Sequence, residues 1–195
     1  MSEASAVSVR SVGDVAVVTM DDGKANAISH AILDDLNAAL DDVAANSAVL
    51  VLMGRPGKFS AGFDLSVMNQ GGNAVPELVK RGAELCVRLF QFPRPVVAAS
   101  TGHALAAGAI MLMSCDDRTG VEGNFKIGMN EVSIGMVLPK FACDLAQERL
   151  SKRHFTHATQ CATVYSPTDA VDVGYLDRTC SEDELEAVVL SLIHI

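Results

Sequence analysis

Apolar and polar residues follow two different periods along this chain, and these periods predict its first elements. Residues 7–20 alternate apolar and polar positions on both sides of Gly13-Asp14, which is typical of a β-hairpin. Because a serine hydroxyl can accept a hydrogen bond from a first-turn N–H, Ser29 is expected to begin a helix. Apolar residues recur after it at helical spacing, at Ile32, Leu33, Leu36, Leu40 and Val43.

Two uninterrupted apolar runs, 48–54 and 95–100, are typical of buried strands. Helical spacing returns between Pro76 and Phe92, and an apolar run from Ala107 to Cys115 predicts a buried helix. The segment GRPGKFSAGFDL at 54–65 is expected to be a loop. Strands and helices that alternate with short links predict parallel strand pairing in an α/β domain.

Composition limits the class of protein. The 195 residues are 49% hydrophobic, which is enough for the core of one globular domain. A net charge of -9 argues against a nucleic-acid partner. No apolar stretch reaches the ~18 residues of a membrane span, and the N-terminus lacks a secretory signal, so a cytoplasmic protein is expected. The five cysteines are widely spaced without a C-x-x-C pair, which predicts free thiols.

Common catalytic motifs do not explain the chain. GRPGKFS lacks the spacing of a phosphate-binding P-loop, and Ser60 does not lie in the G-x-S-x-G motif of a hydrolase nucleophile. His154 and His157 could share a helix face, but no third ligand lies nearby in the sequence, so no metal site is predicted.

Each buried strand leads instead into a loop of small residues, KFSAGFDL at 58–65 and TGHALAAGAIM at 101–111. Ligands of an open parallel sheet bind beyond the carboxyl ends of its strands, so both loops are expected to meet at one pocket. Small side chains allow a backbone to approach its ligand closely. The two loops therefore predict an oxyanion hole, in which two backbone N–H groups bind one oxygen atom.

KFSAGFDL, GHALAAGAIMLMSCD at 102–116, IGMNEVSIGM at 127–136 and SPTDAVDVGYLD at 166–177 occur in this order with suitable spacing. Together they resemble the crotonase, or enoyl-CoA hydratase/isomerase, superfamily, and KANAIS at 24–29 is similar to its adenine-contacting segment. The resemblance implies a spiral of ββα units, an acyl-CoA thioester as substrate and a homotrimer or hexamer. It implies no separate cofactor, since coenzyme A is part of the substrate.

The resemblance also implies site residues. It assigns the oxyanion donors to the backbone N–H groups of Phe63 and Ala107, where Ala106 and Ala107 replace glycines common in the family. Lys24, Arg55 and Lys58 flank the same segments and are candidates for contacts to the CoA phosphates. The substrate-binding positions that it implies are Lys24, Ala25, Asn26, Ala27, Lys58, Ser60, Ala61, Gly62, Asp64, Leu65, Gly108 and Ile110.

The carboxylates distinguish the possible reactions. Hydratases of the family hold a water molecule between two glutamates, and here the second is present as Glu131 while Ile110 occupies the first position. The pattern N-E-V-S-I-G instead resembles the Δ3,Δ2-enoyl-CoA isomerases, which implies Glu131 as the single acid/base in fatty acid metabolism. Burial among Ile127, Met129, Val132 and Ile134 is expected to raise the pKa of Glu131.

Two alternatives remain open at this point. The superfamily uses its oxyanion hole for several reactions, so enoyl-CoA hydration or thioester hydrolysis is possible. A non-catalytic acyl-CoA-binding subunit is the second alternative.

Residues 1–180 are expected to form the acyl-CoA-binding core, and 181–195 the start of a truncated C-terminal helical region, with a capping box at Ser181–Glu184. A truncated chain is expected to assemble poorly.

Overall fold

The computed structural model describes residues 5–191 and contains a six-stranded sheet as its centre. The strands in chain order are β1 (Val7–Val12), β2 (Val15–Met20), β3 (Ala27–Ile28), β4 (Val49–Met53), β5 (Gly57–Ser60), β6 (Gly62–Phe63), β7 (Val96–Ser100), β8 (Gly102–Leu105), β9 (Asp117–Val121), β10 (Ile127–Gly128) and β11 (Arg178–Cys180). The helices are α1 (His30–Asn46), α2 (Leu65–Met68), α3 (Ala74–Phe90), α4 (Ala107–Met113), α5 (Lys140–Arg149), α6 (Phe155–Thr159), α7 (Pro167–Val173) and α8 (Leu185–Ser191).

The six strands follow the order β1-β2-β4-β7-β9-β11. β1 and β2 form the antiparallel hairpin that the alternating pattern predicts, and the other neighbours pair in parallel. The side chain of Ser29 accepts a hydrogen bond from the N–H of Ile32 and thereby begins α1 as expected. α3 begins and ends two residues earlier than the sequence predicts, at Ala74 and Phe90.

The interpretation of 54–65 as a loop is wrong, since this segment contains β5 and β6. β5 joins β8 and β10 in a three-stranded sheet, while β6 pairs with β3. β6 has two residues and β5 has four, which is too few to show a hydrophobic period. The buried backbone N–H and C=O groups of these strands still require hydrogen-bond partners. The small-residue loops are therefore fixed in place by strand pairing.

Both faces of the central sheet are covered, which explains the uninterrupted apolar runs. In β4, Leu50 and Leu52 belong to a large core shared with α1, α3 and α4. Val49 and Val51 belong to a smaller core on the other face, which is closed by residues of α8. The capping box at Ser181–Glu184 is present as expected and precedes α8.

The five cysteines are free, as their spacing predicts. Within residues 5–191, no helix combines the length and apolar composition needed to cross a membrane.

Candidate active site

The start of α4 has an unusual backbone conformation. Ala106 precedes the helix with φ 50° and ψ -125°, a region that residues with a Cβ rarely adopt. Its own N–H donates to the carbonyl oxygen of Gly128 at 3.0 Å, which joins the start of α4 to the end of β10. Ala107 is the first residue of α4, where a backbone N–H has no acceptor within the helix. The N–H of Ala107 is therefore available to a ligand by its position.

Gly62 brings the other small-residue loop into contact with this point. A Cβ built on Gly62 would lie 2.9 Å from the Cβ of Ala106 and 3.3 Å from the nitrogen of Ala107. The N–H of Asp64 donates to the carbonyl oxygen of Ile28 in β3. Because successive N–H groups of a strand point in opposite directions, the N–H of Phe63 points away from β3. The two loops meet as the sequence predicts.

Gly108 explains why a small residue is needed one position further along α4. A Cβ at this position would lie 2.5 Å from the carbonyl oxygen of Ser60, well inside van der Waals contact. The helix therefore packs directly on the backbone of β5. Ser60 is fully buried, and its hydroxyl donates to the carbonyl of Asn26 and accepts from the N–H of Gly62.

Asn26 is a second buried polar residue that holds these loops. Its side-chain nitrogen donates to the carbonyl oxygens of Met20, Lys58 and Phe59, and its side-chain oxygen accepts from the N–H of Asp22. The structure thus gives this side chain a scaffolding position. Substrate contact at Asn26 remains a prediction.

Backbone contacts join the segment 24–27 to the segment 60–63. The N–H of Ala61 donates to the carbonyl oxygen of Ala25, and Ala27 pairs with Gly62 between β3 and β6. These contacts place the segments 24–27 and 60–63 side by side, as a shared ligand site requires.

A narrow apolar cavity of about 10 Å³ lies directly beside the two candidate donors. Phe63, Ala107 and Ile110 contribute to its wall. Ile110 is 2% exposed and presents only hydrocarbon where family hydratases have a glutamate. The remaining lining residues are Ile28, Gly82, Leu85, Cys86, Met111 and Phe141.

Glu131 lies outside this cavity, three residues after the Gly128 carbonyl that anchors α4. Its side chain is buried, and Oε2 has no hydrogen-bond partner among the described residues. Burial raises the pKa of Glu131 from 4.5 to about 7, since desolvation disfavours the charged form. Within residues 5–191, Glu131 is the only buried carboxylate.

The expected neighbours of Glu131 are correct only in part. Ile127 and Met129 are fully buried as predicted, whereas Val132 and Ile134 are 43% and 55% exposed. The reason is the short 3-10 helix Val132–Ile134, which turns these side chains away from the core. The burial of Glu131 therefore comes from other parts of the chain.

Tyr175 lies near Glu131, and the sequence reasoning missed it. This fully buried residue follows α7, and its hydroxyl accepts a hydrogen bond from the N–H of Met129 at 3.3 Å. Burial raises the pKa of Tyr175, and nearby Tyr165 and Glu131 contribute to the rise. The only signal in the sequence that could have indicated this contact was the aromatic residue in the segment SPTDAVDVGYLD at 166–177.

The candidate cations occupy different environments. Arg55 binds the carboxylate of Asp21 at 3.2 Å and donates to the carbonyl oxygen of Lys24, so its guanidinium already holds the 21–24 loop. Lys24 is exposed and Lys58 is half-buried. Lys58 pairs with His103 between β5 and β8. The pKa of His103 is lowered by burial and by the charges of Lys58 and Lys126, which indicates locally positive potential.

Asp64 and Leu65 lie at the outer end of the site. The carboxylate of Asp64 accepts from the N–H of Ser66 and begins α2, which is a structural role. Leu65 is 65% exposed and belongs to neither core. Substrate contact at these two positions stays a prediction.

The sequence and the fold of this chain are similar to those of known proteins. The family described as "Enoyl-CoA hydratase/isomerase" matches residues 10–194. The chain belongs to the enoyl-CoA hydratase/isomerase family. A structure of a family member from Pseudomonas syringae superimposes on this fold with a TM-score of 0.95 and 39% identity, over 97% of this chain and 82% of that one. The crotonase-type α/β fold expected from the sequence is thereby confirmed.

Among curated relatives, members of the family carry two kinds of name. Human mitochondrial enoyl-CoA delta isomerase 1 is 29% identical over 92% of this chain. A probable enoyl-CoA hydratase of Bacillus subtilis is 35% identical over 66% of it. The chain spans 61% and 50% of the lengths of these two relatives.

Proposed function

We propose that this member of the enoyl-CoA hydratase/isomerase family is a Δ3,Δ2-enoyl-CoA isomerase with one acid/base, Glu131. The main support for the proposal is that one buried position has a carboxylate while another, beside the candidate donors, has a hydrocarbon side chain. Glu131 is the only buried carboxylate within residues 5–191, whereas Ile110 lines the apolar cavity beside the candidate oxyanion donors. Isomerisation needs one group that moves a proton, while hydration needs a positioned water molecule as well.

In the proposed reaction, the thioester carbonyl oxygen of a 3-enoyl-CoA accepts hydrogen bonds from the N–H groups of Phe63 and Ala107. The Glu131 carboxylate removes a proton from C2, the electrons of that C–H bond form a C1–C2 double bond, and the carbonyl electrons move onto the oxygen, which gives a dienolate. When the carbonyl re-forms, the C1–C2 electrons become the C2–C3 double bond, and the electrons of the former C3–C4 double bond take up the same proton at C4. Each oxyanion donor is typically worth ~3 kcal/mol of transition-state stabilisation.

The raised pKa of Glu131 supports its proposed role. A pKa of about 7 lies near neutral pH, where a carboxylate base is strong and its acid form still returns the proton readily. The unpartnered Oε2 atom supports it too, because a ligand has no internal hydrogen bond to displace there.

Ile110 is the reason to prefer isomerisation to hydration. A hydrocarbon side chain cannot orient or deprotonate a water molecule. The similarity to a probable hydratase of Bacillus subtilis makes hydration the competing reaction to test.

We propose that the CoA part of the substrate binds at the same site. We assign contacts with the phosphates to Lys24 and Lys58, and a site for the thioester to 60–63 and 106–108. Coenzyme A belongs to the substrate, so the proposed reaction requires no further cofactor. Assembly as a homotrimer or hexamer, a place in fatty acid metabolism and a cytoplasmic location remain predictions. The human relative is named as a mitochondrial protein.

Product analysis tests the reaction directly. The protein is incubated with a 3-enoyl-CoA and, separately, with a 2-enoyl-CoA, and the products are identified by chromatography and mass spectrometry. An isomerase converts the 3-enoyl thioester to the 2-enoyl thioester without a change in mass. Water addition to the 2-enoyl thioester as the main reaction, or release of free CoA, would contradict the proposal, and so would binding without turnover.

A further inference from the structure

The loop between α7 and β11 carries Tyr175 in the interior and is fastened on both sides of it. Before Tyr175, the carbonyl oxygen of Gly174 accepts a hydrogen bond from the buried guanidinium of Arg118 in β9 at 2.9 Å. After it, the carboxylate of Asp177 accepts two more from the same guanidinium, at 2.7 and 2.9 Å. The backbone N–H of Tyr175 donates to the carbonyl oxygen of Ala170 at 2.9 Å. The backbone at Tyr175 is therefore held firmly.

The hydroxyl of Tyr175 reaches the segment that carries Glu131. Its oxygen accepts a hydrogen bond from the N–H of Met129, two residues before Glu131. A phenol can also donate one hydrogen bond, and this hydroxyl has no acceptor for its proton among the described residues. Burial raises the pKa of Tyr175, and the charge of Glu131 adds to the rise, so the hydroxyl stays protonated near neutral pH. It is therefore a donor that has not been used.

The carboxylate of Glu131 has the opposite need. Its side chain is buried, and Oε2 accepts no hydrogen bond within residues 5–191. Polar groups in protein interiors are ordinarily hydrogen-bonded, and a buried charge without a partner is especially costly. A donor without an acceptor and an acceptor without a donor therefore lie near each other in the same buried region.

Tyr165 is the other tyrosine in this region, and its ring centroid lies 6.1 Å from that of Tyr175. Its buried hydroxyl also has no partner in the part of the chain that the structure describes. The ring lies edge-on to His154, which pairs with Asp172. The charge of Glu131 acts on the pKa of Tyr175, whereas the pKa of Tyr165 is raised mainly by burial. Burial raises the pKa of Glu131 itself, with no contribution from a charged side chain of the described residues.

We propose that Tyr175 is a positioning residue for Glu131, and that its hydroxyl donates a hydrogen bond to the carboxylate when Glu131 is ionised. One carboxylate oxygen then accepts from Tyr175, which leaves the other to remove the proton from C2. This rests on the function proposed above, in which Glu131 is the base. A hydrogen bond to the charged form favours that form, so Tyr175 limits the rise in the pKa of Glu131 that burial causes.

Tyr175→Phe removes the hydroxyl and keeps the ring. The pKa of Glu131 is measured without turnover, by ¹³C NMR on protein labelled at the glutamate carboxyl carbons. The Glu131 resonance is identified by its absence in Glu131→Gln. We expect the midpoint to rise by ~1 pH unit or more, because the ionised carboxylate loses a hydrogen bond. A merely structural role predicts the opposite direction, since a loosened interior admits water and lowers the pKa. A lower or unchanged midpoint would overturn the proposal.

Tyr165→Phe is the matched control, because it removes a neighbouring buried hydroxyl from the same kind of ring. The midpoint of Glu131 should be unchanged in this variant. An equal rise in both variants would mean that the effect is not specific to Tyr175, and the assignment would fail.

Replacement of Tyr175 by 3-fluorotyrosine provides a second test, which also serves if Tyr175→Phe does not fold. Fluorine makes the phenol more acidic and therefore a stronger donor, while the ring and the hydroxyl remain. The midpoint of Glu131 should then fall below that of the wild type, opposite to the change in Tyr175→Phe. A midpoint that rises or stays constant would contradict a hydrogen bond from Tyr175 to the carboxylate.

Turnover gives an independent readout. In Tyr175→Phe, kcat/KM for a 3-enoyl-CoA should fall by ~5-fold near neutral pH, because a smaller fraction of Glu131 is ionised. It should return to the wild-type value at high pH, where Glu131 is ionised in both proteins. A structural defect is not repaired by higher pH, so a loss that persists there would overturn the proposal.

The two measurements separate this inference from the proposed function. Shifted midpoints in a protein that does not isomerise would keep the assignment of Tyr175 and remove the proposed function. Isomerisation with a midpoint and a pH profile that do not respond to Tyr175 would keep the function and remove the assignment.

Discussion

The backbone N–H of Ala106 donates a hydrogen bond to the carbonyl oxygen of Gly128 at 3.0 Å. This bond joins the start of α4, where Ala107 follows, to the segment that continues to Glu131. This contact therefore links the two segments that carry the candidate oxyanion donor and the candidate base. A change at Ala106 or Glu131 consequently tests both the fold and the proposed chemistry.

Ala106→Gly should stabilise the protein. A residue with a Cβ at φ 50° and ψ -125° stores ~1–3 kcal/mol of strain, while glycine adds only ~0.4–1 kcal/mol of unfolded-state entropy. The expected gain in the free energy of unfolding is ~1 kcal/mol in urea titrations. Ala38→Gly, at an exposed position within α1, serves as the control and should cost ~1 kcal/mol. A loss of stability at both positions would mean that Ala106 is not strained.

Glu131→Gln should remove the proposed base and preserve the size of the side chain. Isomerisation of a 3-enoyl-CoA is expected to fall by ~10²–10⁴-fold, the usual contribution of a positioned acid/base. Glu77→Gln, on the exposed first turn of α3, is the matched control and should retain activity. Calorimetry should show that the Glu131 variant still binds acyl-CoA. Near-normal turnover by that variant would exclude the single-glutamate mechanism.

The activity should depend on pH through the same group. The free enzyme needs Glu131 ionised to remove a proton from C2, so kcat/KM should rise through an apparent pKa of about 7. In Glu131→Asp this limb should persist with a shifted midpoint. A flat profile for the wild-type protein between about pH 5 and pH 8 would contradict the assignment of Glu131 as the base.

The free energy of unfolding should fall as pH rises, whereas kcat/KM should increase. The folded-state pKa of Glu131 is raised above its ordinary value of 4.5, so its contribution is fully present below 4.5 and is lost as pH rises through about 7. Glu131→Gln carries no charge at any pH. Between about pH 4 and pH 8, its free energy of unfolding should improve relative to the wild type by up to ~3 kcal/mol. Denaturant titrations at both pH values measure this, and a constant difference would contradict the buried-carboxyl interpretation.

Ile110→Glu should introduce the second carboxylate that hydratases of the family carry. Some hydration of a 2-enoyl-CoA is then expected, together with a stability loss of ~2 kcal/mol or more from an unpaired buried polar group. Ile110→Gln is the control, since it shares the length and polarity but cannot act as a base. Hydration by both variants, or efficient hydration by the wild type, would show that the residue at 110 does not determine the reaction.

Lys24→Ala and Lys58→Ala should each weaken acyl-CoA binding, and added salt should reduce the difference from the wild type. Lys80→Ala is the control, because this lysine is exposed on α3 and pairs with Glu84. Calorimetry at low and high ionic strength measures both effects. Unchanged affinity in the double variant would place the phosphates elsewhere.

Local pattern was sufficient to predict the hairpin around Gly13, the cap at Ser29, the buried strands and the small-residue loops. Each of these depends on residues within one turn or one strand, so the sequence contains the necessary information. The position of Glu131 and the replacement of a family glutamate by Ile110 were also evident, since both depend on motif order.

Tertiary structure decided what depends on contacts between distant segments. β5 and β6 are too short to show a period, and only their partners β8 and β3 define them as strands. Val132 and Ile134 are apolar but exposed, so the neighbours of Glu131 in the sequence do not account for its burial. Cys86 and Phe141 likewise come from two helices that are far apart in sequence, and both line the narrow cavity beside Phe63 and Ala107. The sequence determined the local elements and the candidate base, whereas packing between distant segments determined the environment that gives this base its raised pKa.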